Sequence, residues 1–134
     1  MANVIEIEGI GPAYGAKLEA AGIKTEEQLL EAGATKKGRE EIAEKTGISE
    51  SLVLQWVNRA DLARIKGIGG QFADLLEHAG VDSVPELAQR NAENLHAKMA
   101  EVNEAKNLTN RLPSASEVAD WIEQAKALGR KVTH

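Results

Sequence analysis

The chain has 134 residues, enough for one compact domain or two very small ones, and units of half that length bury too little surface to be comfortably stable alone. Its 16 Lys and Arg against 21 Asp and Glu leave a formal charge of −5, which repels polyanions at long range and restricts any nucleic-acid contact to a local one. The absence of cysteine excludes disulfides and thiolate metal sites, and aromatic residues, at 3%, are too few for the base-stacking platforms of single-strand binders.

Capping chemistry and helical spacing predict helices at roughly 12–21, 25–32, 36–46, 49–63, 70–79, 84–90, 92–104 and 115–128. Pro12 sits just inside the first, where its missing N–H would have been unpaired anyway. The second opens on Thr25 with Gln28 at capping-box spacing, and Ser83 with Glu86 and Ser114 with Glu117 repeat the device. Gly22, Gly33, Gly47, Gly80 and Gly129 stand where a left-handed residue would end a helix. In the fourth helix Leu52, Val53, Trp56, Val57 and Ala60 recur at helical spacing, and no segment sustains the alternation of a half-buried strand. Residues 103–113, with Lys106, Asn107, Thr109, Asn110, Arg111 and Pro113, read as a polar, turn-rich surface insert.

The chain is self-similar. Ile7-Glu8-Gly9-Ile10-Gly11-Pro12-Ala13-Tyr14 recurs as Ile65-Lys66-Gly67-Ile68-Gly69-Gly70-Gln71-Phe72, and Leu18, Ala21, Gly22, Ile23, Thr25 and Leu29 align with Leu76, Ala79, Gly80, Val81, Ser83 and Leu87 at the same offset. Beyond the insert, Ser49, Val53, Trp56, Val57 and Ala60 pair with Ser114, Val118, Trp121, Ile122 and Ala125. The expected organisation is an internal duplication, repeats 1–63 and 64–134 sharing one core in one compact fold. Trp56 and Trp121, equivalent in the two copies, are expected to anchor that core.

The two apolar-x-Gly-apolar-Gly stretches resemble the helix-hairpin-helix motif, in which the first glycine allows a sharp left-handed turn and the apolar residue plugs the junction of two helices. N–H groups left over at the following helix start would form an anion site suited to phosphate. Stretches such as Glu31-Ala32-Gly33-Ala34-Thr35, Glu44-Lys45-Thr46-Gly47-Ile48-Ser49, Trp56-Val57-Asn58-Arg59-Ala60-Asp61-Leu62, Leu87-Ala88-Gln89-Arg90-Asn91 and Asn94-Leu95-His96-Ala97-Lys98 extend the likeness. From about 5 to 128 the chain resembles an uncharacterised bacterial family of duplicated helix-hairpin-helix proteins, a domain of unknown function. The resemblance implies an all-α, tandem helix-hairpin-helix (SAM-like) fold and lends no catalytic residues and no ligand.

The wider helix-hairpin-helix class implies contact with the DNA backbone without reading sequence. Carried onto this chain, the N–H donors are Gly11, Ala13 and Tyr14 at the first hairpin and Gly69, Gly70 and Gln71 at the second. Gly9 and Gly67 make the turns, and Lys17, Arg64 and Lys66 are the nearby cations. Glu6 and Glu8 oppose phosphate at the first hairpin; the second has Arg64 and Lys66 in their place, although Asp74 and Glu77 lie on its following helix. The alternative for either hairpin is that it only turns the chain and packs two helices.

Other chemistry finds little to stand on. His78, His96 and His134 have no partners at zinc-site spacing, and Glu26-Glu27 and Glu40-Glu41 fall in early helical turns, where negative charge meets the helix dipole favourably. Gly67-Ile68-Gly69-Gly70 is neither preceded by a strand nor followed by Gly-Lys-Ser or Gly-Lys-Thr, and no nucleophile motif is present. No catalytic residue, metal or cofactor is expected. With no secretory leader and no apolar run that could cross a bilayer, a cytoplasmic protein without membrane partners is expected. Two functions remain: a non-enzymatic module holding double-stranded DNA weakly by its phosphates, chiefly at the second hairpin, or a protein-interaction or scaffold domain that associates with another protein or with itself.

Overall fold

A computed structural model describes residues 3–7 and 9–133, so Glu8 and His134 lie outside the described residues. Among the described residues the chain forms eight α-helices and a short 3-10 turn, Val4–Glu6, with no β-strand. The helices are α1 (Gly11–Ala20), α2 (Glu26–Gly33), α3 (Lys36–Thr46), α4 (Glu50–Leu62), α5 (Gly70–His78), α6 (Val84–Ala88), α7 (Ala92–Lys106) and α8 (Ala115–Leu128). None is long and apolar enough to cross a membrane.

Two compact units divide the chain, one of Met1–Asp61 with Lys131–His134 and the other of Leu62–Arg130. The buried apolar residues follow the same division, in one cluster per unit where the sequence suggested a single shared core. The division falls between Asp61 and Leu62, and residues 131–133 belong to the first unit, where Val132 is buried in its cluster.

In the first unit the 3-10 turn is closed by an Asn3/Glu6 capping box, and Val4 N–H donates to the Lys24 carbonyl at 2.9 Å. Thr25 and Thr35 cap α2 and α3 through their hydroxyls, and Ser49 Oγ accepts from Leu52 N–H at the start of α4. Around Trp56, 1% exposed, pack Ile7, Ile10, Leu18, Leu29, Ile42, Val53 and Val57. An indole buries about 150–250 Å², so at ~25 cal/mol per Å² each tryptophan contributes about 4–6 kcal/mol of gross burial. Gly33, expected to end α2 in a left-handed turn, is instead its last helical residue; a Cβ there would collide with the Val57 side chain, so its use is close packing of α2 on α4.

The second unit packs Leu62, Ile65, Ile68, Leu75, Leu76, Val81, Leu87, Leu95, Met99, Val118 and Ile122 around Trp121, also 1% exposed. Ser83, Asn91 and Ser114 cap α6, α7 and α8. α6 is two residues shorter than expected, and α7 runs two further, to Lys106, where Asn107 caps it at a positive φ of 50°, the left-handed conformation that asparagine tolerates. Beyond it Thr109 is buried and held by Asn103, which accepts from Thr109 N–H at 2.9 Å and donates to its carbonyl at 3.2 Å. The insert is therefore stapled to α7 rather than loose.

Each unit sets an indole edge against a glycine with positive φ: Gly9 (φ 93°) against Trp56 and Gly67 (φ 101°) against Trp121. A Cβ would lie 3.7 Å from Trp56 Nε1 at position 9 but 2.8 Å from Trp121 Nε1 at position 67. Both glycine-to-alanine changes meet left-handed strain of about 1–2 kcal/mol. Only Gly67→Ala must also move an indole, so its thermal midpoint is expected to fall further than that of Gly9→Ala; equal falls in calorimetry would contradict this packing.

Candidate functional site

The corner that enters α5 is built from two buried plugs and an exposed rim. Ile65 and Ile68 are 1% and 5% exposed, whereas Lys66, Gly67, Gly69, Gly70 and Gln71 are exposed. Ile65 N–H donates to Leu62 O at 3.1 Å and Ile68 N–H to Ile65 O at 3.2 Å, so successive three-residue turns carry the chain from α4 to α5. The Lys66 peptide is clamped by one side chain: Gln124 Oε1 accepts its N–H at 2.9 Å and Gln124 Nε2 donates to its carbonyl at 3.1 Å. That satisfies both backbone groups at the corner and leaves the lysine side chain pointing outward as an exposed cation.

Gly69 is the N-cap of α5, extended at φ −96° and ψ −173°, and the helix has no side-chain cap. The first intrahelical bond runs from Ala73 N–H to Gly69 O at 2.9 Å, so the first-turn donors without an intrahelical acceptor are Gly70, Gln71 and Phe72. Phe72 N–H joins the donors named from the sequence at this helix start. α1 also starts without a side-chain cap, on Ile10, with Gly11 at φ 63° and Pro12 in its first turn. The other six helices each begin under a Ser, Thr or Asn oxygen. The two helix starts that lack one are those following the glycine corners.

The structure thus gathers Lys66, Gly67, Gly69, Gly70 and Gln71 at one exposed corner and sends Arg64 elsewhere. Arg64 donates to the carbonyls of Leu128 and Gly129 at 3.3 and 3.4 Å, where a cation complements the C-terminal end of α8. Asp74 lies near His78, its Oδ1 3.6 Å from the ring nitrogen, and both Asp74 and Glu77 are half-buried. Two contributors escaped the sequence reading. Gln124 is one; Arg111 is the other, brought by the insert to 5.2 Å from the Phe72 ring centroid and paired with Glu117 through two bonds of 2.7 and 3.0 Å.

The first corner is less hospitable to an anion. Gly9 and Gly11 both have positive φ, and Lys17 Nζ sits 5.9 Å from the Tyr14 ring centroid. The Glu6 carboxylate accepts from Asn3 N–H at 3.0 Å. Burial, then the neighbouring Glu6 and Glu27 carboxylates, push the Glu26 carboxyl above its ordinary range, so the added charge near this corner is negative.

No group of three or more His, Asp or Glu side chains among the described residues could hold a metal. His78 Nδ1 lies 2.9 Å from the Asp74 carbonyl and His96 Nε2 lies 2.8 Å from the Pro113 carbonyl, both engaged with backbone. A recess of about 380 Å³ in the first unit is lined by Lys36, Arg39, Glu50, Ser51 and Leu54, charges of both signs without a shared focus.

What fold and site define is an all-helical protein of two compact units, with an uncapped helix start at each glycine corner. Residues 8–128 match the family model described as Domain of unknown function (DUF4332), and the chain belongs to that family. Neither the curated proteins nor the solved structures searched contain a match.

The Arg111–Glu117 pair beside the second corner gives a pH test. Glu117, also accepting from Ser114 N–H, is lowered from an ordinary 4.5 to about 2, first by its hydrogen bond from Arg111 and then by that from Ser114. With the folded value below the unfolded one, the stabilisation is complete above about pH 4.5 and is lost as pH falls toward 2. Glu117→Gln keeps the cap acceptor and removes the charge, so its melting temperature is expected to lie below that of the parent at pH 7 and to converge with it near pH 2. A gap that persists at pH 2 would contradict the assignment.

Proposed function

We propose that this chain is a non-enzymatic binding module of the helix-hairpin-helix class, formed by internal duplication, that holds the phosphate backbone of double-stranded DNA chiefly through its second corner. The observation that carries the reading is the missing side-chain cap at the two helix starts that follow the glycine turns. At the second corner the N–H groups of Gly70, Gln71 and Phe72 have no intrahelical acceptor and the exposed Lys66 cation stands beside them. A phosphate oxygen supplies both the acceptor and the charge that such a start favours. The duplication rests on the aligned sequences and on the matching pairs of left-handed glycine and indole. With an overall charge of −5, long-range attraction is absent, so contact is local, weak and indifferent to base sequence.

A specific observation also favours protein interaction as the second reading. In the first unit Ile5 is 49% exposed and Tyr14 36% exposed, on the elements flanking the glycine corner that is least suited to phosphate. Residues of that size left in water are candidates for burial by another chain.

Titrating a fluorescent duplex at low salt separates the two. Binding is expected to depend on salt with a log–log slope of about −3.6 for four phosphates. Lys66→Glu should weaken it several-fold, while Lys17→Glu at the first corner should change it little. Amide shifts in NMR should centre on Gly70, Gln71 and Phe72. No duplex binding at low salt would overturn the phosphate reading; shifts confined to Ile5 and Tyr14 upon adding a protein would favour the second.

A further inference from the structure

The recess lined by α3 and α4 carries charge that its two helices do not need in order to form. It lies within the first unit, has a volume of about 380 Å³, and is lined by Lys36, Arg39, Glu50, Ser51 and Leu54. Pockets for small molecules commonly start at about 300 Å³. Lys36 is the first residue of α3, and Glu50 and Ser51 are the first two of α4. These three are exposed, Leu54 is half-buried and Arg39 is buried.

Its two cations are held differently. Arg39 donates to the carbonyls of Gly33 and Ala34 at 2.8 and 3.2 Å and to that of Thr133 at 2.6 Å, neutral acceptors that leave its charge in place. Burial lowers the guanidinium pKa, and the Glu50 carboxylate opposes that through space. Lys36 Nζ has neither an ion pair nor a hydrogen bond among the described residues. It also stands at the positive end of the α3 dipole, where a cation is unfavourable to the helix.

The second unit gives an internal comparison. The register that sets Trp56 against Trp121 sets Glu50 against Ala115, Ser51 against Ser116 and Leu54 against Ala119. The caps Thr35 and Asn91 set Lys36 against Ala92 and Arg39 against Leu95, both of the latter buried. Each charged residue of the recess is thus apolar at the aligned position, where α7 and α8 form under side-chain caps of the same kind. Helices of this sort do without Lys36 and Glu50, so these charges are open to recognition.

We infer that the recess binds a small zwitterion of the amino-acid type, its carboxylate toward Lys36 and Arg39, its ammonium toward Glu50 and an aliphatic side chain over Leu54. A simple anion would meet the Glu50 carboxylate, and a simple cation would meet Lys36 and Arg39. A molecule with both poles complements each sign. The Ser51 hydroxyl adds a donor for the carboxylate. The two poles can belong to a free amino acid or to the two ends of a dipeptide. Every residue involved lies in the first unit, so the inference is independent of the phosphate reading.

Titrating the full chain with leucine, leucyl-leucine, leucinamide and isocaproate, followed by NMR amide shifts, tests it. Leucine or leucyl-leucine is expected to bind with a Kd of order 1 mM and to shift the amides of Lys36, Glu50 and Ser51, leaving Gly70, Gln71 and Phe72 unmoved. The tighter of the two identifies the source of the zwitterion. Leucinamide, without the carboxylate, and isocaproate, without the ammonium, should each bind at least about tenfold more weakly. Lys36→Ala and Glu50→Ala install the residues that the second unit carries at the aligned positions, and each should weaken the zwitterion at least about tenfold with circular dichroism unchanged. Should either lose helix, Lys36→Gln or Glu50→Gln replaces it, with the same loss expected. The inference is overturned by an absence of shifts up to about 20 mM ligand, by isocaproate or leucinamide binding as tightly as leucine, or by binding that survives both changes.

Discussion

At position 67 there is no room for a side chain, because a Cβ would lie 2.8 Å from the indole nitrogen of Trp121, and the backbone there is left-handed at φ 101°. These constraints act together. The left-handed turn sends the chain from α4 into α5, and the indole fills the space directly behind it, so burial of the tryptophan and direction of the chain are set by one contact. The energies are of useful size: about 4–6 kcal/mol of gross burial against about 1–2 kcal/mol if a side chain had to adopt the turn. The first unit repeats the arrangement more loosely at Gly9 and Trp56. The helix start at Gly70 comes two residues after this turn, with Gly69 extended as a cap that has no side chain to offer.

The polar groups around the second corner are arranged to keep its backbone rigid without covering its donors. Gln124 occupies both hydrogen-bonding groups of the Lys66 peptide, and Arg64 is turned to the end of α8. Arg111 is neutralised by Glu117 while lying against Phe72. Of the cations that chain order places near this corner, Lys66 keeps its exposure. Arg64, two residues earlier, meets the carbonyls of Leu128 and Gly129 instead, and a count of basic residues would have credited both to the ligand.

Much of the local structure was legible because capping is a short-range affair. Thr25 with Gln28 and Ser114 with Glu117 form the boxes their spacing suggests, and Gly22, Gly47, Gly80 and Gly129 have positive φ at helix ends. Gly33 was misread because glycine serves two ends, turning a chain and letting helices touch, and only the position of Val57 tells which. Arg39 was invisible for a related reason. Within Lys36-Lys37-Gly38-Arg39-Glu40-Glu41 it looks like one more solvated charge, and its acceptors are carbonyls at residues 33, 34 and 133 that no periodicity brings together. Gln124 went unnoticed because the register that aligns Trp56 with Trp121 sets it against Arg59, a different residue type. At the candidate site the glycines and Lys66 could be read from sequence; Gln124, Phe72 among the first-turn donors and the carbonyls that Arg64 meets required coordinates.

Val132 belongs to the cluster around Trp56, although about seventy residues of a separate unit lie between it and the rest of that cluster in the chain. On a ribosome, of these two units the one begun earlier is thus completed later. At ~5–20 residues per second, synthesis of residues 62–130 takes about 3–14 s, and through that interval Ala34 and Arg39 lack the Thr133 backbone that they bind in the fold. The second unit, being continuous in sequence, has no such wait and can be finished before its elder neighbour.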